Sequence, residues 1–158
     1  MIRTLAAALL LSLANASVVS AQGTAPTPAP APAPSPAVAG AVEGDALLKD
    51  FRFASGERMD VLRLHYTTLG TPHRDAKGEI SNAVMILHGT GGSGKQFFQP
   101  QFADELFGPG QPLDTRRYFI ILPDNIGHGA SSKPSDGLRM AFPRYDYADM
   151  VTAQHRML

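Results

Sequence analysis

Apolar residues along the second half of this chain fall into two rhythms, one of strands and one of helices. Phe51–Phe53 and Met59–Thr67 flank Ser55-Gly56, with Val61, Leu62, Leu64 and Tyr66 as apolar positions. That pattern predicts two strands around a tight turn. A polar, glycine-containing loop (GTPHRDAKGEIS, residues 70–81) follows, and then Ala83-Val84-Met85-Ile86-Leu87 is apolar at every position. An unbroken apolar run of this length marks a strand buried on both faces, as in a parallel sheet covered by helices. Tyr118–Leu122 is a second such run. Between the two lies a glycine-rich stretch and a segment, Gln96–Phe107, whose Phe97, Phe98, Phe102, Leu106 and Phe107 suit a helix. Strand, glycine turn, helix and strand make a βαβ unit, so the expected class is α/β, with a mostly parallel sheet and flanking helices. A last helix is expected over Asp146–Leu158. Asp146 is its N-cap, Asp149 sits by the positive end of its dipole, and Tyr147, Met150, Val151, Met157 and Leu158 share one apolar face. No Gly, Asn or Pro stop signal follows, and no further strand, so the expectation is a chain cut inside a fold.

The first 44 residues follow neither rhythm. MIRTLAAALLLSLANASVVSA, residues 1–21, has one early cation, an apolar stretch from Leu5 to Leu13, and small residues before Ala21. This is the layout of a secretory signal peptide, and the apolar run is too short for a spanning helix of ~20 residues. Residues 22–44 are a Pro/Ala-rich linker in which proline alternates with small residues, a composition that favours an extended backbone and builds no core. The folded part is then expected over 45–158, near the usual size of one domain. The reading is an exported protein, periplasmic or secreted, with no stable membrane insertion after signal cleavage.

Composition narrows the partners. The chain of 158 residues has no cysteine, which excludes disulfides and lipid attachment through a thiol, and it balances 14 basic against 14 acidic residues. Near-zero charge gives no electrostatic reason to expect nucleic acid as partner. Oligomeric state stays open.

The glycine-rich stretch carries the candidate chemistry. Gly89-Thr90-Gly91-Gly92-Ser93-Gly94-Lys95 satisfies G-x-x-x-x-G-K, most of a phosphate-binding loop, and the run FIILPD ends in an acidic residue that could serve a magnesium ion. Against that reading, position 96 is Gln where a Mg²⁺-ligating hydroxyl belongs, His88 precedes the first glycine, and an exported protein meets little ATP. The alternative uses the same backbone for another anion. A glycine turn after a buried strand can aim a main-chain N–H at the oxyanion of a tetrahedral intermediate. A second turn, Asp124-Asn125-Ile126-Gly127-His128-Gly129-Ala130-Ser131, follows the second buried run directly. Asp124 is expected to hydrogen-bond the backbone of that turn.

YTTLGT at 66–71, NAVMILHG at 82–89, FGPGQPLDTRRYFII at 107–121 and FPRYDYADMVTAQHRML at 142–158 resemble the homoserine O-acetyltransferase branch of the α/β-hydrolases. The resemblance covers about Phe51 to Leu158. It implies the N-terminal part of an α/β-hydrolase fold, with the glycine loop after its third strand and the D-x-x-G-x-G-x-S turn after its fourth. It further implies that the Thr90 N–H is one oxyanion donor and that Gly89, Gly91 and Gly92 form the wall of the substrate pocket. The Gly127-His128-Gly129 turn is closer to ordinary hydrolases of the superfamily than to acetyltransferases.

The superfamily carries its nucleophile in G-x-S-x-G after the fifth strand, followed by an acid and a histidine. No G-x-S-x-G occurs here; Gly91-Gly92-Ser93-Gly94-Lys95 has Lys in the last position. Ser93, Ser131 and Ser132 read as turn residues, and the resemblance places the catalytic triad beyond Leu158. His65, His73 and His155 read as strand, loop and helix-surface residues. His88 either steadies the oxyanion loop or borders the substrate, and His128 is similar. A metal site of His88, Asp124 and His128 lacks any close-spaced ligand pair, and no cofactor is implied. The expected function is acyl transfer from a small-molecule ester to water through a serine nucleophile. The alternatives are an O-acyltransferase of the homoserine acetyltransferase type, and a truncated, non-catalytic chain or binding protein.

Overall fold

The computed structural model describes residues 35–158. The expected signal peptide and the Pro/Ala run as far as Pro34 lie outside the described residues. Six regular elements follow in chain order: β1 (Val42–Arg52), β2 (Arg58–Leu69), β3 (Ala83–Met85), α1 (Pro100–Leu106), β4 (Phe119–Pro123) and α2 (Tyr147–Met157). They form an α/β arrangement around a four-stranded sheet of order β1-β2-β4-β3. The sheet is mixed among the described residues. β1–β2 and β2–β4 are antiparallel, and the β3–β4 pair, which the βαβ reading predicts, is parallel with Val84 opposite Ile120.

Order begins earlier than the linker reading places it. Ser35 opens a short 3₁₀ turn (Pro36–Val38), its hydroxyl accepting the Ala37 N–H at 2.9 Å and donating to Asp104. Val38 is buried beside Phe97 and Phe107, and β1 starts at Val42. The alternation of proline hides this anchoring, because a single buried valine leaves no period to read. β1 pairs with β2 from Val42↔Thr68 to Arg52↔Arg58, around the turn expected at Ser55-Gly56.

Two cores flank the sheet. Leu48, Phe51, Phe53, Leu62 and Leu64 pack with Ile126, Phe142 and Ala153 on the α2 side. Leu69, Ile120 and Leu122 pack with Phe97, Ala103 and Phe107 on the other. Each fully buried side chain of this size contributes about 1.5–3 kcal/mol of transfer free energy. β4 is buried along Ile120–Pro123, as its apolar run requires. β3 differs: it pairs on one side only among the described residues, so Ala83 and Leu87 are exposed and Val84, Met85 and Ile86 half-buried.

The helix expected over Gln96–Phe107 is broken in two. Gly94–Phe98 forms a 3₁₀ turn, and α1 starts at Pro100. Proline lacks the N–H needed inside a helix and forces its predecessor to extend, and Gln99 accordingly has φ −62° and ψ 139°. α2 starts where its cap predicts: Asp146 accepts the Ala148 and Asp149 N–H groups, while Asp149 reaches back to the Asp146 N–H. Its buried stripe is Asp149, Met150, Ala153 and Met157, however. Tyr147, Val151 and Leu158 face outward. The reason is Asp149, whose carboxylate also accepts the Ala54 N–H at 2.8 Å and so turns that face of the helix toward the β1–β2 hairpin.

Candidate active site

Both glycine turns leave the carboxyl ends of parallel neighbours, β3 and β4, and so emerge side by side. Asp124, the residue after β4, is buried and joins them. One carboxylate oxygen accepts the Gly94 N–H at 2.8 Å, the other the Ala130 N–H at 2.8 Å. The closeness demands glycine on both sides. A Cβ on Gly94 would stand 2.6 Å from the Leu122 carbonyl oxygen, and one on Gly129 would stand 1.9 Å from the Asp124 carboxylate. Ser131 and Ser132 complete the second turn as turn residues. The Ser131 hydroxyl donates to the Asp124 carbonyl at 2.7 Å and accepts the His65 N–H at 2.9 Å, and the Ser132 hydroxyl accepts the Arg63 N–H at 3.0 Å.

Two histidines cross between the turns. His88, from the β3 side, accepts the Asn125 N–H at Nε2 (2.9 Å) and donates from Nδ1 to the Gly89 carbonyl (2.8 Å). His128, from the β4 side, accepts the Gly91 N–H at Nε2 (3.4 Å) and pairs through Nδ1 with the Ile126 carbonyl (3.1 Å). Their ring centroids are 5.2 Å apart. The donor–acceptor pattern fixes both rings as neutral, Nδ1-protonated tautomers, since a backbone N–H can only donate and a carbonyl only accept. His88 and His128 thus spend both ring nitrogens on main-chain groups, and the Asp124 carboxylate oxygens each hold a backbone N–H. Among the described residues no cluster of three such side chains is placed to hold one.

The same accounting decides the phosphate-loop reading. A phosphate nest needs several free N–H groups in succession. Here the Gly91 N–H goes to His128, the Gly92 N–H to the Gly89 carbonyl at 3.0 Å, and the Gly94 N–H to Asp124. Lys95 turns to β1 and pairs with Glu43 at 2.5 Å, a hydrogen bond that holds the Glu43 carboxyl below its ordinary range. Three of the loop's N–H groups and its cation are thus committed elsewhere.

Thr90 remains. Its N–H has no hydrogen-bond partner among the described residues, and with Gly89 it lines a cleft of about 500 Å³. Across this cleft stand Asn125, His128, Tyr145, Asp146, Tyr147 and Met150, with His88 beneath the turn. Gly91 and Gly92 are placed otherwise. They line a neighbouring depression with Ser93, Lys95, Gln96, Gln99 and Gly129, where Ser93 opens the 3₁₀ turn without a hydrogen bond to any histidine among the described residues. His65 lies in β2 beside Asp45, His73 in the long loop and His155 on exposed α2. Sequence reasoning missed Asn125, whose side chain accepts from Gln154 of α2, and the Tyr145–Tyr147 wall. The signal was present in Phe142–Tyr147, whose two tyrosines around Asp146 suit a site border as well as a helix entry.

The sequence profile described as the alpha/beta hydrolase fold matches residues 82–158. A probable acyltransferase of Methanothermobacter thermautotrophicus is 32% identical over 112 residues, covering 70% of this chain and 34% of that protein. A homoserine O-acetyltransferase of Pelobacter propionicus is 36% identical over 122 residues, covering 68% of this chain and 32% of the relative. Among solved structures, an acetylester hydrolase from Corynebacterium glutamicum superposes with a TM-score of 0.62 at 29% identity, covering 74% of this chain and 32% of that one. The chain spans about a third of the length of these relatives.

Proposed function

Because the chain belongs to the α/β-hydrolase superfamily, in its homoserine O-acetyltransferase-like branch, we propose that it supplies the oxyanion side of an acyl-transfer site in an exported enzyme. The observation that carries this reading is the Thr90 N–H, unpaired and lining the cleft while the neighbouring Gly91, Gly92 and Gly94 N–H groups are all engaged. In the reaction a serine hydroxyl attacks the carbonyl carbon of a small-molecule ester, the carbonyl oxygen becomes negative, and the Thr90 N–H stabilises it. Collapse of the intermediate expels the alcohol, and water then releases the acid. In this reading the serine, its base and its acid come from sequence following Leu158, and Gly89 with Tyr145 and Tyr147 borders the substrate. The signal-peptide layout of residues 1–21 supports export, and the near-zero net charge gives no electrostatic reason to expect nucleic acid as a partner.

Transfer of the acyl group to a hydroxyl acceptor is the second reading. It is supported by the relatives named homoserine O-acetyltransferase, as hydrolysis is by the acetylester hydrolase. Labelling the whole protein with a fluorophosphonate, then comparing hydrolysis of a simple acetyl ester with acyl transfer to added homoserine, tests both. A whole protein that resists the label and turns over neither substrate sinks the proposal.

A further inference from the structure

We infer that His88 and His128 act as a reciprocal brace that positions the Thr90 N–H, and that the brace holds only while both rings are neutral. The inference rests on the reading of Thr90 as an oxyanion donor for its catalytic consequence, but not for the brace itself. Each ring leaves one turn and grips the backbone of the other: His88 reaches from the Thr90 turn to the Asn125 N–H, His128 from the Asn125 turn to the Gly91 N–H. Thr90 lies between the two anchor points, one residue after Gly89, whose carbonyl takes the His88 Nδ1 proton, and one before Gly91. Its N–H is therefore held without being used. α2 extends the brace, since Gln154 donates to the side chain of Asn125.

Protonation converts both nitrogens of an imidazole into donors. The added proton on Nε2 of His88 would face the Asn125 N–H, and that on His128 would face the Gly91 N–H, so each crossing contact becomes donor against donor. The two rings, 5.2 Å apart, would also repel once both are charged. The charged and titratable groups that face them are few. Tyr145, Asp146 and Tyr147 line the same cleft from the segment entering α2, and Asp124 lies under the turn with its carboxylate committed to Gly94 and Ala130. Lys95 is drawn off toward Glu43. Protonation of the two rings therefore releases the Thr90 turn, and the Asp124 tie to Gly94 and Ala130 does not involve either ring.

The test needs no substrate, so its failure is separable from failure of the acyl-transfer reading. Long-range ¹⁵N–¹H spectra of the whole chain should show both rings protonated at Nδ1 at neutral pH. The protection factors at Gly91 and Asn125, exchange divided by its intrinsic rate at each pH, should fall about tenfold as the rings protonate, the loss expected for one hydrogen bond each. His128→Gln places an amide oxygen where Nε2 stood: it should keep Gly91 protected and remove the acid response at that amide. His128→Ala should lose the protection at every pH. Rings protonated at Nε2, or a Gly91 protection factor that ignores both pH and His128→Ala, or an Asn125 protection factor that ignores pH, would overturn the brace. If the alanine variant fails to fold, the tautomers and the pH series of the unaltered chain decide the matter.

Discussion

The Asp124 carboxylate accepts the Gly94 N–H at 2.8 Å across 30 residues of chain, and this one contact fixes the two glycine turns relative to each other. A second contact, to the Ala130 N–H, uses the other oxygen. Asp124→Asn would present an amide NH₂ to one of these donors, leaving a buried N–H facing another donor. The expected cost is about 2 kcal/mol of folding stability, rising to about 3 kcal/mol for Asp124→Ala, in which both N–H groups lose their acceptor. Urea denaturation measures both, with Asp60→Asn on the exposed face of β2 as a control that shifts the midpoint little. An Asp124→Asn midpoint equal to that control would remove Asp124 from its joining role.

Much of this arrangement is legible in the sequence, and what is not has physical causes. The apolar run of Tyr118–Leu122, the Asp146 cap and the turn at Ser55-Gly56 each combine a local period with a local stop signal, and each forms as read. The first strand of the hairpin, however, runs Val42–Arg52 where the apolar pattern predicts only Phe51–Phe53. The helix over Gln96–Phe107 fails because apolar spacing is a weaker constraint than the missing N–H of Pro100. The exposed faces of Leu87, Tyr147 and Val151 are hidden for another reason. An apolar residue announces that it can be buried, and only the neighbours in space determine whether it is. The crossing histidines are of this kind too: their partners are backbone N–H groups 37 residues away, which carry no side-chain signature.

Asp114 gives an acid-dependent prediction. It is buried at the turn before β4, where the Arg116 guanidinium and the Gly110 and Arg116 N–H groups hold its carboxyl well below the usual carboxylate range. A folded-state pKa lowered beneath the unfolded value of 3.8 adds stability that is complete above that value and is lost as pH falls through the folded one. Asp114→Asn should therefore lower the urea midpoint at neutral pH, and the gap from the unaltered chain should narrow below about pH 4. A gap that stays constant into strong acid would show that the charge on Asp114 is not what stabilises the turn.

Thr90 is proposed to act through its backbone, and that distinguishes its variants. Thr90→Ala keeps the N–H and should change kcat of the whole enzyme little. Thr90→Pro deletes it and should lower kcat by about 100- to 1,000-fold with a smaller change in KM, the loss typical of one oxyanion donor. Circular dichroism and the urea midpoint of the proline variant check that the fold survives. A loss on Thr90→Ala as large as on Thr90→Pro would instead assign the work to the hydroxyl.

The surface beside the cleft predicts how the 158-residue chain behaves alone. β3 pairs only with β4 among the described residues, leaving the other side of Ala83–Met85 as an open strand edge. Next to it stand exposed apolar side chains, Leu87 at 48%, Tyr147 at 81% and Val151 at 63% of full exposure. An open edge bordered by apolar side chains is the feature that soluble proteins ordinarily blunt with charge or proline, and here neither is present between Ala83 and Leu87. The chain should therefore associate as its concentration rises, visible in sedimentation velocity, and it should show no activity on p-nitrophenyl acetate. Leu87→Lys with Val151→Lys puts charge on both flanks of the edge and should return the chain to monomer without altering its secondary structure. A chain that stays monomeric at high concentration before any substitution would mean that this edge is covered in solution.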